Sequence, residues 1–203
     1  MGRYLGPKHR ICRRAGEKLC DADRCPTQRR PYPPGVHGPR LRKKVTEYGT
    51  QLFEKQKARM VYGIMERQLR RYYEDALRSE GNTAEFLAER LERRVDNVVF
   101  RLGLAKTRSG ARQLVTHGHM TLNGAKHTVP SALVKVGDVI GVRAGSMTHP
   151  SVAQYAQTAA AQTIPAWLAA DGAATQGRVL RLPTLADAPQ SFRMQSIIEF
   201  YSR

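Results

Sequence analysis

Acid is scarce in this chain. Seventeen Asp and Glu stand against 34 Lys and Arg, a formal net charge of +17 on 203 residues. Self-repulsion of that size destabilises a free compact chain unless a polyanion neutralises it, so the composition points to nucleic acid or, less often, an anionic membrane surface. An apolar run long enough to span a bilayer is missing, and so is a signal or transit pattern; a soluble cytosolic protein is expected. A membrane-surface partner is set aside because the basic arm at 1–44 lacks an amphipathic helix with a bulky apolar face. A glycine-rich phosphate loop is also absent, as is a Ser, Cys or Thr nucleophile singled out by a matched base.

Cysteine is equally sparse, and its placement is informative. All three lie at Cys12, Cys20 and Cys25, in a segment with too few apolar residues to bury them as small hydrophobes. An odd count in a cytosolic chain argues against a disulfide framework, and the lack of a Cys-x-x-Cys pair argues against a redox role. His9 and Cys12 form a His-x-x-Cys pair, and Cys20 and Cys25 a Cys-x4-Cys pair, a spacing that suits a closed, structural zinc site. Such a site holds together a loop that apolar burial cannot fold. His37 or Asp21 is an alternative fourth ligand, and three free thiols are the alternative to any site.

The cations are unevenly spread. Residues 1–44 hold 13 of them against Glu17, Asp21 and Asp23, whereas 144–203 hold only Arg178, Arg181, Arg193 and Arg203, so the nucleic-acid footprint is expected in the first three-quarters of the chain. The arm at 1–44 also carries six of the eleven prolines and cannot pack a core alone. From Thr46 the pattern turns helical: Leu52, Phe53 and Met60 in one segment, then Ile64, Leu69, Tyr72, Tyr73, Ala76 and Leu77, closed by Gly81. Thr83 opens a third helix with Phe86, Leu87 and Leu91. Val134 to Val142 reads as two short strands about a Gly137-Asp138 turn, and 151–163 as an Ala- and Gln-rich helical connector. Ile164-Pro165-Ala166-Trp167-Leu168 and the closing Ile197-Ile198-Glu199-Phe200-Tyr201 are apolar enough to need burial.

Residues 91–127 carry the densest signal. Gly103 and Gly118 follow apolar-periodic runs where a left-handed cap is needed, Thr107 stands where it can cap the next helix, and Asn123-Gly124 marks a two-residue hairpin. In the helix from about Arg108 to His117, Ala111, Leu114 and Val115 turn inward while Arg108, Arg112 and Thr116 share an outer stripe. Gln113, His117, His119, Asn123 and Lys126 extend that face, offering cations for phosphate and neutral donors for 2′-hydroxyls and base edges. A solvated face without a partner is the plainer alternative. Tyr4, Tyr32, Tyr48, Tyr62, Tyr72 and Tyr73, interleaved with cations, add stacking surfaces for unpaired bases.

This stretch resembles the RNA-binding domain named after bacterial small-subunit ribosomal protein number four, the S-four family. The likeness continues through Gly2-Arg3-Tyr4-Leu5-Gly6-Pro7, Arg30-Pro31-Tyr32-Pro33-Pro34-Gly35 with His37-Gly38, Glu54-Lys55-Gln56-Lys57, Tyr62-Gly63 and the closing Ile197 to Arg203. It is weakest between Ala144 and Pro189. Val95 departs from the usual Leu, a small volume change in an apolar slot. Some members of the family carry four cysteines near the start and others none; here His9 replaces the first.

The resemblance implies a mainly α protein with a small α+β insertion: a basic N-terminal arm with zinc knuckle at 1–44, a helical domain of 45–92 completed by 158–203, and an S-four-type RNA-binding domain of two helices and a short β-sheet, with connector, at 93–157. It implies a non-enzymatic, primary rRNA-binding constituent of the small ribosomal subunit in the cytoplasm. That constituent binds the 5′ domain of the rRNA, nucleates assembly, neighbours protein number five, lies near mRNA entry and influences decoding accuracy. The same domain accompanies pseudouridine synthases, tyrosyl-tRNA synthetases and RNA methyltransferases. Here, however, no His-Ile-Gly-His or Lys-Met-Ser-Lys-Ser pattern is present, and Asp96 reads as a carboxylate at the positive end of a helix dipole. A regulator binding RNA or DNA, including the protein's own mRNA, is the alternative.

The metal set is thus His9, Cys12, Cys20 and Cys25, for one structural Zn2+. The RNA-binding set begins with Arg3, Tyr4, Arg10, Arg13, Arg14, Arg29, Arg30, Arg40, Arg42, Lys43 and Lys44 in the arm. It continues with Tyr48, Lys55, Lys57, Arg59, Arg67 and Arg71 in the helical segment. In the small domain it comprises Arg94, Arg108, Arg112, Gln113, His117, His119, Asn123 and Lys126.

Overall fold

The computed structural model describes residues 4–40, 46–150, 152, 164–170 and 175–203. The chain divides into two compact units, Met1–Leu87 with Pro189–Arg203, and Ala88–Ala188. No helix among the described residues is long and apolar enough to cross a membrane.

In the first unit, α1 (Lys8–Ala15) ends at Gly16, whose φ of 74° is the left-handed cap that glycine adopts without a Cβ penalty. Helix α2 (Glu47–Tyr62) starts where the Thr46 hydroxyl accepts the Gly49 amide and stops at Gly63. Helix α3 (Glu66–Leu77) follows, and then α4 (Thr83–Glu92), which begins in this unit, where the Asn82 side chain accepts the Ala84 amide, and ends in the second. The last helix of the chain, α7 (Met194–Tyr201), returns to this unit, packs along α2 and touches α3.

The face of α2 that is buried differs from the expected one. Gln51, Lys55, Ala58, Val61 and Tyr62 point inward, whereas Leu52, Phe53 and Met60 are half-buried. Polar partners on α3 and α7 make this stripe tolerable. Glu66 accepts from Lys55 Nζ at 2.7 Å and from the Tyr201 hydroxyl at 2.6 Å, and Gln51 donates to Glu199 at 3.1 Å. Tyr73 stacks on Tyr201 with ring centroids 5.0 Å apart, and Phe192 meets the edge of Tyr62. Burial pulls the Glu66 carboxyl up, but the bonds from Lys55 and Tyr201 and the charges of Lys55 and Arg59 outweigh it and hold the group below its ordinary value.

In the second unit, α5 (Val95–Arg101) and α6 (Arg108–Thr116) pack on a five-stranded antiparallel sheet. Thr107 caps α6 by accepting the Gly110 amide at 3.0 Å. Strands β1 (Met120–Leu122) and β2 (Ala125–His127) meet through Asn123 and Gly124, whose φ values of 51° and 80° suit a primed hairpin turn. Strand β3 (Val139–Val142) pairs with β1 on one side and with β5 (Gln176–Val179) on the other, and β4 (Leu168–Ala170) closes the order β2-β1-β3-β5-β4. The core gathers Val98, Val99, Leu114, Val115, Met120, Ile140 and the fully buried Trp167.

Two expectations are corrected here. The segment from Ile164 to Ala188 does not complete the helical domain; it adds two strands to the sheet and puts Trp167 and Leu168 in the small domain's core, so only Pro189–Arg203 returns to the first unit. Free edges on a three-stranded sheet explain the gain, since β5 satisfies the open backbone groups of β3. Nor is Val134 to Val142 a strand pair. The Asp138 carboxylate accepts the Lys135 amide at 2.7 Å and Gly137 sits at φ 90°, so a tight turn uses up the residues the first strand needed. The connector expected at 151–163 lies outside the described residues apart from Val152, which is buried.

Candidate RNA-binding surface and metal cluster

The face of α6 forms as its periodicity demands. Ala111, Leu114 and Val115 are buried, and Gln113, Thr116 and His117 are exposed. Arg108 and Arg112 flank that face but also face inward. Arg108 Nε donates to Asn97 Oδ1 at 2.9 Å, with its guanidinium 4.3 Å from the Phe100 ring centroid, and Arg112 donates to Asp96 Oδ2 at 3.0 Å. Asp96 also receives Arg94 Nε and Nη2 at 2.9 and 2.6 Å. One helical turn earlier, the fully buried Glu92 accepts from Arg101 at 3.0 and 2.9 Å and from the Asn97 amide at 2.8 Å.

Two buried carboxylates are therefore each neutralised by arginine, and the α5–α6 pair is cross-linked by charge-assisted bonds. Arg94, 1% exposed, is corrected from an RNA-facing residue to a core residue. Asp96 is more than a dipole partner for the same reason. Glu92, Asn97 and Arg101 were not singled out from the sequence. Their signal was two acids four residues apart inside a run that is otherwise basic.

The remaining members of the small-domain set, Asn123 and Lys126, are exposed on the β1–β2 hairpin, and His119 is half-buried. Asn123 also braces the turn after Val134, donating to Asp138 at 2.9 Å and accepting the Val139 amide at 2.8 Å. Exposed Lys135 and Arg143 enlarge the cationic surface beyond the expected set, because loops far from the motif in sequence return to it through the sheet.

In the first unit Arg10, Arg14, Arg29, Arg30, Arg40, Arg67 and Arg71 are exposed, as are Tyr4 and Tyr48, the latter with its ring centroid 5.5 Å from that of Phe200. Arg13 clamps the arm by donating to the carbonyls of Tyr32 and Pro33 at 3.1 and 3.3 Å. Lys55, at 5% exposure, is corrected to a core residue bound to Glu66. Lys57 pairs with Glu17 and Glu54 at 2.7 and 2.9 Å, and Arg59 with Glu66 at 3.1 Å. Arg3, Arg42, Lys43 and Lys44 lie outside the described residues.

His9, Cys20 and Cys25 offer ligand atoms that all lie within 4.8 Å of one another. Cys20 Sγ is 3.7 Å from His9 Nδ1, close to the roughly 3.6 Å that Zn–S and Zn–N bond lengths impose across a tetrahedron. Cys12 is outside this group: it is fully buried, hydrogen-bonded to Cys20, and burial pushes its thiol up to about 12. The Cys25 thiol goes the other way, to about 6, because bonds from Thr27, His9 and Cys20 outweigh burial. The residues fit a small thiophilic cation, with three of the four expected donors gathered. Neither His37, which is exposed, nor Asp21 belongs to that group.

Comparison with known proteins shows the family of the chain. Residues 3–92 match the family described as ribosomal protein S4/S9 N-terminal domain, and residues 93–140 match the S4 domain. The chain is 50% identical over 209 aligned residues to the small ribosomal subunit protein uS4A of Symbiobacterium thermophilum, with all of both chains covered. It is 49% identical to uS4 of Desulforamulus reducens and 49% identical to uS4 of Rubrobacter xylanophilus, again with all of both chains covered.

Proposed function

The chain belongs to the uS4 family of small ribosomal subunit proteins, and from that premise we propose that it binds rRNA as a structural constituent of the small subunit. The family is one of ribosomal structural proteins and not of enzymes, and its place is the ribosome in the cytoplasm. The observation that carries the reading is the exposed face of Gln113, His117, Asn123 and Lys126, set on a module whose buried arginines are already neutralised by Glu92 and Asp96. That scaffold presents Gln113, His117 and Lys126 to phosphates and riboses, while Asn123 fixes the hairpin turn through Asp138 and Val139. The finer reading is that the RNA is the 5′ domain of small-subunit rRNA, bound early in assembly, with protein number five and entering mRNA as neighbours and decoding accuracy as a consequence. A regulator of RNA or DNA is not favoured by the family.

The zinc reading completes the proposal. His9, Cys20 and Cys25 would hold one structural ion, with Cys12, whose thiol lies beside that of Cys20, as the fourth donor expected from the sequence. Coordination deprotonates a thiol outright, so the raised Cys12 is no obstacle. The ion holds the arm in shape and performs no reaction, since four protein ligands leave no open position. The test of function is filter binding of the full chain to a 5′-domain rRNA transcript beside an unrelated RNA of equal length and duplex DNA. Preference for the transcript supports the reading, and equal affinity for all three contradicts it.

A further inference from the structure

Three histidines of the small domain converge on one spot. His117 caps α6, and His119 follows it with ring centroids 6.2 Å apart. The loop after β3 carries Arg143, Ser146 and His149. His119 Nδ1 lies 3.0 Å from Ser146 Oγ, and its ring centroid is 4.7 Å from that of His149. Backbone bonds fix the loop, from Arg143 N to His119 O at 2.9 Å, from Ser146 N to Arg143 O at 2.8 Å and from His149 N to Ser146 O at 3.1 Å. Lys126 reaches in from β2: a Cβ built on Gly118, the residue between His117 and His119, would stand 3.2 Å from its Nζ.

The chemistry of the group selects its ligand. A metal cation is repelled by the nearby charges of Arg143 and Lys126. An oxyanion is attracted by those same groups and accepts hydrogen bonds from guanidinium, ammonium, hydroxyl and imidazolium donors. Buried His149 Nδ1 takes no hydrogen bond among the described residues, a costly state that a bound partner relieves. Burial is the main influence depressing the protonation of His119, and the groups His149, His117 and Arg143 add to it, all cationic or able to become so. Burial first and this crowding of one sign second disfavour the protonated ring, and a bound anion would favour it.

We propose that His117, His119, His149, Arg143 and Lys126, with the Ser146 hydroxyl, form a proton-coupled site for one RNA backbone phosphate, the imidazoles taking up solvent protons as it binds. The proposal rests on the RNA-binding reading above. A proton moves from hydronium or a buffer acid to an imidazole nitrogen, the donor's bond to it breaking as the N–H bond forms, and no other bond changes. Because the bound anion raises a protonation that is depressed in the free protein, affinity rises as pH falls towards the free value, which is below 6.5 for His119.

The test is titration of the full chain with a 5′-domain rRNA transcript at fixed ionic strength between about pH 5.5 and 8, in buffers of differing ionisation enthalpy. Each participating imidazole contributes at most about tenfold in affinity per pH unit, with a matching calorimetric proton uptake. His119→Gln with His149→Gln is expected to reduce that uptake and make the affinity less steep in pH, leaving at most the share of His117. His proton resonances of the unmodified chain, free and RNA-bound, read the same point without a substitution and should titrate higher in the complex. Equal pH dependence in the unmodified and substituted chains, or unshifted histidine titrations, overturns the site while leaving RNA binding intact. Absence of transcript binding at every pH overturns the functional reading as well.

Discussion

Asp96 receives one edge of the Arg94 guanidinium, Nε at 2.9 Å and Nη2 at 2.6 Å, inside the core of the small domain. Removing Arg94 strips the buried Asp96 of two of its arginine bonds and leaves the one from Arg112, a loss of about 1.5–3 kcal/mol. Arg94→Ala should therefore unfold the small domain at much lower urea concentration, followed by Trp167 fluorescence. An unfolding midpoint equal to that of the unmodified chain would show that the pair is not structural.

Arg112 and Lys126 should separate stability from binding. Arg112→Ala removes a charge-assisted bond to Asp96 and should lower stability by about 1.5–3 kcal/mol, whatever it does to RNA affinity. Lys126→Ala, on the exposed hairpin, should change stability by no more than about 0.5 kcal/mol yet weaken RNA binding at all sequences alike. Paired urea and filter-binding titrations check both. Unchanged RNA affinity in Lys126→Ala would return that hairpin face to solvent.

Glu66 gives the helical domain an acid limit. Its carboxyl is held below the ordinary 4.5, so the stability it contributes is present above that value and disappears as pH falls through the depressed one. Near-UV circular dichroism of Tyr201 and its neighbours should show unfolding by acid in that range. Glu66→Gln is expected to flatten the pH dependence, and an unaltered acid profile would assign it to other groups.

Removing metal should act on the arm alone. Chelation, or Cys20→Ser, is expected to open residues 4–40 to protease while the segment from Arg93 to Val142 stays protected, because its core of Val98, Val99, Leu102, Leu114, Val115 and Met120 includes no metal donor. Zinc content of protein prepared under reducing conditions, measured by atomic absorption, should be about one per chain. A chain without zinc whose arm resists protease equally well would contradict the site.

Local chemistry made much of the fold readable. The Thr107 cap, the Asn123-Gly124 turn and the inward stripe of Ala111, Leu114 and Val115 are set within a few residues, so the sequence carries their signals directly. What escaped is non-local. Nothing near Gln176 or Leu168 announces that they will extend a sheet begun at Met120, and the weak likeness to the family there gave no help. The arginines show the same limit within the site. Arg94 and Arg112 look like RNA ligands by type, and only the position of Asp96 reveals that they hold the module together.

The salt dependence of binding to 5′-domain rRNA is the most direct test of the central claim that this basic chain grips RNA through its phosphates. With roughly six to ten phosphate contacts, the logarithm of the binding constant should fall with the logarithm of salt concentration at a slope of about −4 to −9. A slope near zero would contradict it.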